Sequence, residues 1–281
     1  MFILFDIGGT KMRVAGSRDG ESFGTPKIIP TPASYEEGLA AFKAAVDAVS
    51  EGEPVAQIVG GIAGPFSEKT KMLVGSPHLS GWVGKPFADD LRSAFGATVH
   101  IENDAALVGL GEAAYGAGRG FDIVAYVTVS TGVNGARIVA GKIDEKTYGF
   151  EIGHQIIDPD KTLAPGAAGI YFEDIVSGTA VEKRMGKKPK EVTDPKFWDE
   201  MARVLAIGLN NVVDFWSPEV IVLGGSMITG DPAISVETTE KYLKEYLTIV
   251  PELPVMRKAE LADVGGLWGA LAYLKQVSEA V

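Results

Sequence analysis

The sequence contains no cysteine, which excludes a disulfide framework and any cysteine-ligated zinc or iron–sulfur site. Positive charge is also short: 26 Lys and Arg against 37 Asp and Glu leave a formal net charge of −11. That balance argues against a surface built to track a phosphate backbone, and so against DNA or RNA as the main partner. A small anion remains admissible, because backbone N–H groups can hold it in place of cations. No apolar run approaches the ~20 residues needed to span a bilayer. Met1–Phe5 is apolar, but Asp6 and two glycines follow at once and no basic start precedes it, so no signal peptide is expected. The expectation is a cytoplasmic protein with neither a membrane nor a nucleic acid as partner. Two nucleotide motifs are missing as well. No G-x-x-x-x-G-K-[ST] string occurs, which excludes a P-loop enzyme, and no G-x-G-x-x-G opens a helix after the first strand, which argues against a dinucleotide fold.

What is present is a chain of 281 residues with 46% hydrophobic content, enough for one large or two modest domains with a sizeable core. Phe2–Phe5 reads as a buried strand, broken by Asp6-Ile7-Gly8-Gly9-Thr10-Lys11 and resumed at Met12–Ala15, which is a hairpin pattern. Leu39, Phe42, Val46 and Val49 recur at helical spacing within Tyr35–Val49. Val55–Ile62 reads as a strand entering Gly64-Pro65, Pro86–Phe95 as a proline-opened helix, and Thr98–Ile101 as a strand that stops at Glu102-Asn103-Asp104. The second half repeats this grammar. Asp122–Val129 is strand-like, Ser130-Thr131-Gly132-Val133-Asn134-Gly135 breaks it, and Ala136–Val139 extends again. Arg137-Ile138-Val139-Ala140-Gly141 echoes Arg13-Val14-Ala15-Gly16, a weak internal repeat suggesting two related halves. A long helix is predicted over Trp198–Trp216, a buried strand over Val220–Leu223 leading into Gly224-Gly225-Ser226, and a closing helix over Gly269–Val277. Lys183–Pro195, basic and proline-containing, reads as the best surface loop. No low-complexity linker separates the halves, so two hinged domains are expected: residues 1–104 with a closing segment at about 267–281, and residues 105–266.

Three glycine-rich turns each follow a strand, at Asp6–Lys11, Ser130–Gly135 and Gly224–Ser226. Glycine lets backbone N–H groups converge on one concavity, which suits phosphate oxygens. Gly8, Gly9, Gly132, Gly224 and Gly225 supply such backbone; Thr10, Thr131 and Ser226 add hydroxyls, Asn134 an amide and Lys11 a positive charge. Asp6 could hold Mg²⁺ through water, since magnesium favours carboxylates and keeps part of its hydration. Each turn alone reads equally as an ordinary hairpin; the ordered set of three reads as a phosphate site. Asn103-Asp104 stands where a strand gives way to a helix. It reads either as a helix cap or as the position of a carboxylate, Asp104, that takes a proton from an attacking hydroxyl. Glu151 and Glu173 are candidate acceptors for sugar hydroxyls beside His154, and each alone also reads as a solvated side chain. His100 carries no motif and is given no role.

These strings together resemble the ROK family of repressors, open reading frames and kinases, over nearly the whole chain. The resemblance rests on Asp6-Ile-Gly-Gly-Thr-Lys, Glu102-Asn-Asp-Ala-Ala with the following Gly-Glu-Ala-Ala-Tyr-Gly-Ala-Gly, Ser130-Thr-Gly-Val-Asn-Gly and Glu151-Ile-Gly-His. It implies an α/β, actin-like (ribonuclease H-like) ATPase fold of two domains with a cleft between them. It implies ATP phosphates gripped by the first two turns, with the nucleotide flanked by Gly224-Gly225-Ser226. It makes Asp104 the catalytic base, gives Asn103, Glu151, His154 and Glu173 the sugar hydroxyls, and puts Gly64-Pro65 beside the sugar. The implied reaction is transfer of the ATP γ-phosphoryl group to a hexose, glucose first and N-acetylglucosamine or N-acetylmannosamine next. A homodimer is implied by analogy only.

The sequence departs from the family pattern twice. Most members carry a C-x-C-G-x-x-G-C zinc motif between the positions of His154 and Glu173; here the stretch is Ala164-Pro-Gly-Ala-Ala-Gly-Ile-Tyr-Phe-Glu173. No zinc is expected, and local packing through Ile170, Tyr171 and Phe172 is the expected substitute. In Ser76-Pro-His-Leu-Ser-Gly-Trp82, His78 stands where relatives often place Asn near the sugar. A non-catalytic sugar sensor or repressor is disfavoured, because family repressors carry a winged-helix segment ahead of the first turn and only five residues precede Asp6. An actin- or chaperone-type ATPase would leave Glu151, His154 and Glu173 unexplained.

Overall fold

The structure is a computed structural model that describes residues 1–279 other than 68 and 77. Pro77 of the His78 stretch and the last two positions of the expected closing segment therefore lie outside the described residues. Along the chain, β1 (Phe2–Ile7), β2 (Lys11–Ser17) and β3 (Lys27–Pro30) precede α1 (Tyr35–Ser50) and β4 (Gln57–Ile62). A small hairpin of β5 (Phe66–Ser67) and β6 (Met72–Leu73) follows, then α2 (Phe87–Phe95), β7 (Thr98–Asn103) and α3 (Asp104–Tyr115). Next come β8 (Ile123–Val129), β9 (Val133–Val139) and β10 (Lys142–Ile143), then α4 (Glu173–Val176), α5 (Gly178–Met185) and α6 (Pro195–Trp216). β11 (Val220–Gly224), α7 (Ser226–Thr229), α8 (Val236–Tyr246), β12 (Val255–Lys258) and α9 (Gly265–Glu279) complete the order.

The chain divides into two units. The first comprises Met1–Tyr115, Glu145–Gly149 and the chain from Asp263 on; the second comprises Gly116–Asp144 and Phe150–Ala262. Thus α3, expected in the second domain, has its contacts in the first, and the short segment 145–149 is held there by a buried ion pair of Lys146 Nζ with Glu102 Oε1 at 3.0 Å.

Each unit is built on a five-stranded sheet, and the two sheets share one plan. The first has the order β3-β2-β1-β4-β7 and the second β10-β9-β8-β11-β12. In each, a central strand pairs antiparallel with its hairpin partner and parallel with the strand on its other side, β1 with β2 and β4, β8 with β9 and β11. The echo between Arg13–Gly16 and Arg137–Gly141 is the sequence trace of this plan.

The first core is aromatic. Phe5, Tyr35, Phe42, Trp82 and Phe87 meet edge to face at centroid distances of 5.2–6.4 Å, the arrangement that ring quadrupoles favour. Ser34 opens α1 as its N-cap, and Gly38 on the same helix gives Trp82 its place, since any side chain there would overlap the indole. Helices α3 and α9 cross almost backbone to backbone. A methyl group on Gly269 would overlap Leu107 O, and one on Gly111 would come within 2.7 Å of Gly265 O. In the second unit Pro195 follows the N-cap Asp194 and starts α6. This helix buries Met201, Leu205 and Leu209 in the core that also holds Val127, Ile221 and Leu223. Gly208 on α6 faces the ring of Phe172, which is fully buried.

The expected surface loop Lys183–Pro195 is exposed over most of its length but is more ordered than expected. Its first three residues finish α5, Pro189–Glu191 forms a short 3-10 turn, and Val192 is buried with its carbonyl accepting from Trp198 Nε1 at 2.7 Å. Proline and lysine there mark helix ends, not an open loop. The expected ends of several elements also move: β7 runs on through Asn103, β9 begins at Val133, and α9 begins four residues before Gly269. Among the described residues no helix is long and apolar enough to cross a membrane.

Candidate functional site

In the first unit, Gly8, Gly9 and Thr10 link β1 to β2. Gly8 N donates back to Lys11 O at 3.0 Å, and Thr31, just past β3, binds the turn from outside: its hydroxyl donates to Gly8 O at 2.7 Å and its amide to Thr10 O at 3.0 Å. These bonds occupy the carbonyls of Gly8 and Thr10, while the amides of Gly9 and Thr10 find no acceptor among the described residues. Donors that are free in this way suit an anion. Thr10 and Lys11 are exposed beside them. His78 is also exposed and lies against the turn, for a methyl group on Gly9 would come 2.5 Å from His78 Cβ. The imidazole thus borders this turn.

Asp6 ends β1 with its carboxylate facing Arg13, Oδ2 to Nη1 3.2 Å, and packs against Gly266 in the first turn of α9. Burial raises the Asp6 pKa, and the opposing charge and hydrogen bond of Arg13 offset only part of that rise. Oδ1 takes no hydrogen bond among the described residues, so one oxygen is left for a water of a hydrated magnesium ion, the role that a carboxylate plays for Mg²⁺.

Asn103 is buried at the end of β7. Its Oδ1 accepts from Ala106 N at 3.1 Å, the N-cap bond of α3, and its Nδ2 donates to Gly64 O at 3.0 Å. Gly64 has φ +123° and no room for a side chain beside Gly75 O. Asn103 therefore ties the Gly64-Pro65 loop to the start of the helix that Asp104 heads. Asp104 is half-buried, and its Oδ1 accepts from Ala105 N at 2.9 Å.

In the second unit, the turn at Ser130–Gly132 connects β8 to β9 in the place that Gly8–Thr10 takes in the first sheet. Ser130 N donates to Gly132 O at 2.8 Å, and Ser130 O accepts from Gly178 N at 2.7 Å at the start of α5. Thr131 is exposed. Asn134 lies on β9 and not in the turn, with Oδ1 accepting from Gly135 N at 2.8 Å. The third turn adjoins the second: Ser130 Oγ and Ser226 Oγ are 3.2 Å apart. Gly225, at φ +86°, presses on Val129 O so closely that only glycine fits. Gly224 is buried against Tyr126.

Glu151, His154 and Glu173 come together in this unit. Glu151 Oε2 is 3.9 Å from His154 Nδ1, and the His154 ring lies 5.6 Å from that of Tyr171. Burial raises the Glu151 pKa; His154 opposes this and the charge of Glu173 adds to it. Glu173, heading α4, accepts from Val133 N through Oε2 at 2.7 Å. One carboxylate thereby joins this group to the residue that follows the second glycine turn.

The sequence reading missed Asp158, which is 3% exposed. Its carboxylate accepts from Thr162 N at 2.8 Å, from Leu163 N at 3.1 Å and from Ala164 N at 3.3 Å. Burial raises its pKa, but these amides and Lys161 outweigh that and leave it lowered. The stretch between His154 and Glu173 does not fit zinc. It has no cysteine or histidine, and the oxygens of its one buried carboxylate are taken by amides. Of the three residues expected to replace the metal, Phe172 is buried and Ile170 contributes its carbonyl to Ile157 N and Asp158 N, whereas Tyr171 is 40% exposed and packs on no core.

A sequence model of the ROK family matches residues 3–277. A solved ROK hexokinase from Thermus thermophilus superposes with a TM-score of 0.81 at 27% identity, covering 99% of both chains. A ROK family glucokinase from Streptomyces griseus, solved with glucose and AMPPNP, superposes at 0.79 with 26% identity, over 98% of this chain and 99% of that one. Among curated relatives, an N-acetyl-D-glucosamine kinase of Histophilus somni is 27% identical over 97% of this chain and 98% of its own length.

Proposed function

The chain belongs to the ROK family, and from that premise we propose that it is a sugar kinase that transfers the γ-phosphoryl group of ATP to the 6-hydroxyl of a hexose, glucose first. The observation that carries this reading is the matched pair of glycine–threonine turns. Each joins the central strand of its sheet to its hairpin partner, in two sheets of one strand order. Two such turns present amides and hydroxyls to a polyphosphate without a cluster of cations, which agrees with the net charge of −11.

In this reading Gly8, Gly9, Thr10, Lys11, Thr131, Gly132 and Asn134 bind ATP phosphates. Gly224, Gly225 and Ser226 flank the nucleotide. Asp6 is the group to hold Mg²⁺ through water, and the ion would neutralise charge on the phosphates. Glu151, His154 and Glu173 receive sugar hydroxyls, and hydrogen bonds to charged groups contribute about 1.5–3 kcal/mol each. Asn103 fixes Gly64-Pro65 and the start of α3, and Asp104 takes the proton of the 6-hydroxyl as its oxygen bonds to the γ-phosphorus. The bond from that phosphorus to the bridging oxygen breaks, and ADP leaves.

A panel of hexoses and amino sugars in a coupled ADP-release assay tests the reading. Sugar-dependent ADP release is expected, strongest with glucose; release that ignores every sugar would remove the assignment. The Histophilus somni relative favours N-acetylglucosamine as the second substrate to try. Asp104→Asn is expected to lower kcat by ~10²–10⁴, the usual loss on removing a general base, with hexose binding retained. Near-normal turnover in that variant would take Asp104 out of the mechanism.

A further inference from the structure

The segment between His154 and Glu173 leaves the site and returns to it. Where it leaves and returns, the two arms are paired: Phe172 N donates to Gln155 O at 2.8 Å, and Ile157 N and Asp158 N both donate to Ile170 O, at 3.1 and 3.3 Å. Gln155 is braced on α6, its Oε1 accepting from Asn211 Nδ2 at 2.7 Å. The residues just outside this pairing are His154 and Glu173, so the closure of the loop decides how far apart they stand.

What fills the loop is one carboxylate. Asp158 begins a turn in which Lys161 N donates to Asp158 O at 3.1 Å and Lys161 itself adopts φ +54°. The chain then curls over the Asp158 side chain, which gathers three successive amides. Ala164, the last of them, is fully buried, and Arg203 Nη2 on α6 donates to Leu163 O at 3.3 Å. Asp158 thus serves twice: its amide closes the paired arms and its carboxylate orders the loop beyond them. The buried N–H of Ala164 loses heavily when its acceptor is removed, and no other acceptor for the three amides is present among the described residues.

We propose that Asp158 is a positioning residue for sugar binding: by gathering the amides of Thr162, Leu163 and Ala164 it holds the 155–172 loop closed without a metal ion, and so sets the spacing of His154 and Glu173. The inference rests on the kinase reading for its catalytic consequence and on the loop geometry for its structural one. The two can fail separately.

The test compares the full-length protein with Asp158→Ala and Asp158→Asn. The Asn variant keeps one acceptor oxygen and serves as the conservative rescue; it also decides the matter if the Ala variant does not fold. In Asp158→Ala the hexose KM is expected to rise about tenfold or more while kcat at saturating hexose changes far less, the signature of lost ground-state binding. Asp158→Asn should fall between. Hydrogen exchange should quicken at the amides of residues 162–164 and at Phe172, with the amides of β1 and β4 unaffected. Treating the wild-type protein with a strong chelator and then restoring magnesium should leave the hexose KM unchanged. Wild-type KM in both variants, a loss of kcat at unchanged KM, or undiminished protection at Phe172 would overturn the proposal, as would a KM that rises after chelation. If the wild-type protein turns over no hexose, the kinase reading falls, and exchange at Phe172 still decides what Asp158 does.

Discussion

At the scale of single residues, the carboxylates of Glu151 and Glu173 differ in how they are held. Glu173 has an amide from Val133 on one oxygen, whereas Glu151 is pushed toward its neutral form by burial and by Glu173, with only His154 to oppose this. A carboxyl whose pKa is raised on folding binds its proton more readily in the folded state. It therefore weakens the fold above that pKa, and acidification through it relieves the penalty. Two consequences follow with opposite signs. Glu151→Gln should raise the melting temperature at neutral pH only slightly, because the side chain is 36% exposed and solvent screens much of the penalty on its charge. The same variant should raise the hexose KM, because a charged acceptor is lost. In the wild-type protein the hexose KM should climb as pH falls toward the carboxylate range, earlier than an ordinary Glu at about 4.3 would cause, and in the Gln variant that limb should flatten. Melting curves and KM at a series of pH values check both; a Gln variant less stable than wild type at neutral pH would show that the charge is well solvated. The site was unevenly legible at this scale. Asp6, Asp104 and Glu151 stand in strings whose spacing advertises them. Asn103 was legible as a cap, and the structure adds its bond to Gly64. Asp158 was not legible, because a carboxylate that folds its own next six residues around itself leaves no periodic pattern.

At the scale of elements, glycines decide how the site residues are presented. The crossing of α3 and α9 is possible because Gly111 and Gly269 have no side chains, and the elements meeting there begin with Asp104 and carry Gly266 against Asp6. Gly208 does the same for the second unit, where α6 accepts the Phe172 ring one residue before Glu173. Gly269→Ala should be destabilising by about 1–3 kcal/mol, the usual cost of overpacking a filled site, and should lower kcat by displacing Asp104. Gly208→Ala should cost a comparable amount but act mainly on the hexose KM, through Glu173. Denaturant melts with steady-state kinetics on both variants separate the two effects; equal effects on KM and kcat in both would show that each disturbs the protein generally. The packing role of these glycines was not legible in the sequence, since the partner that demands a missing side chain lies more than a hundred residues away for Gly269 and Leu107. Helix α6 itself was legible from its apolar spacing, and its true start at Pro195 was hidden by the basic stretch before it.

At the scale of the whole molecule, the shared strand order of the two sheets was legible only through the faint likeness of two hairpins, because a repeated fold preserves backbone turns long after side chains diverge. The net charge of −11 bears on how such a protein takes an anionic nucleotide. A nucleic-acid binder draws its ligand with cations and releases counterions, so salt weakens it steeply. Here the first glycine turn offers amides and hydroxyls beside Lys11, and Arg13 on the strand that follows is already paired with Asp6. The wider field repels the nucleotide, and added salt screens that repulsion within about 8–10 Å at moderate ionic strength. The KM for MgATP should therefore stay level or fall as potassium chloride is raised, while the KM for the neutral hexose stays constant. Initial rates over a salt series measure both. A steep log-linear rise of the MgATP KM would mean that cations, not the backbone of the two turns, hold the phosphates.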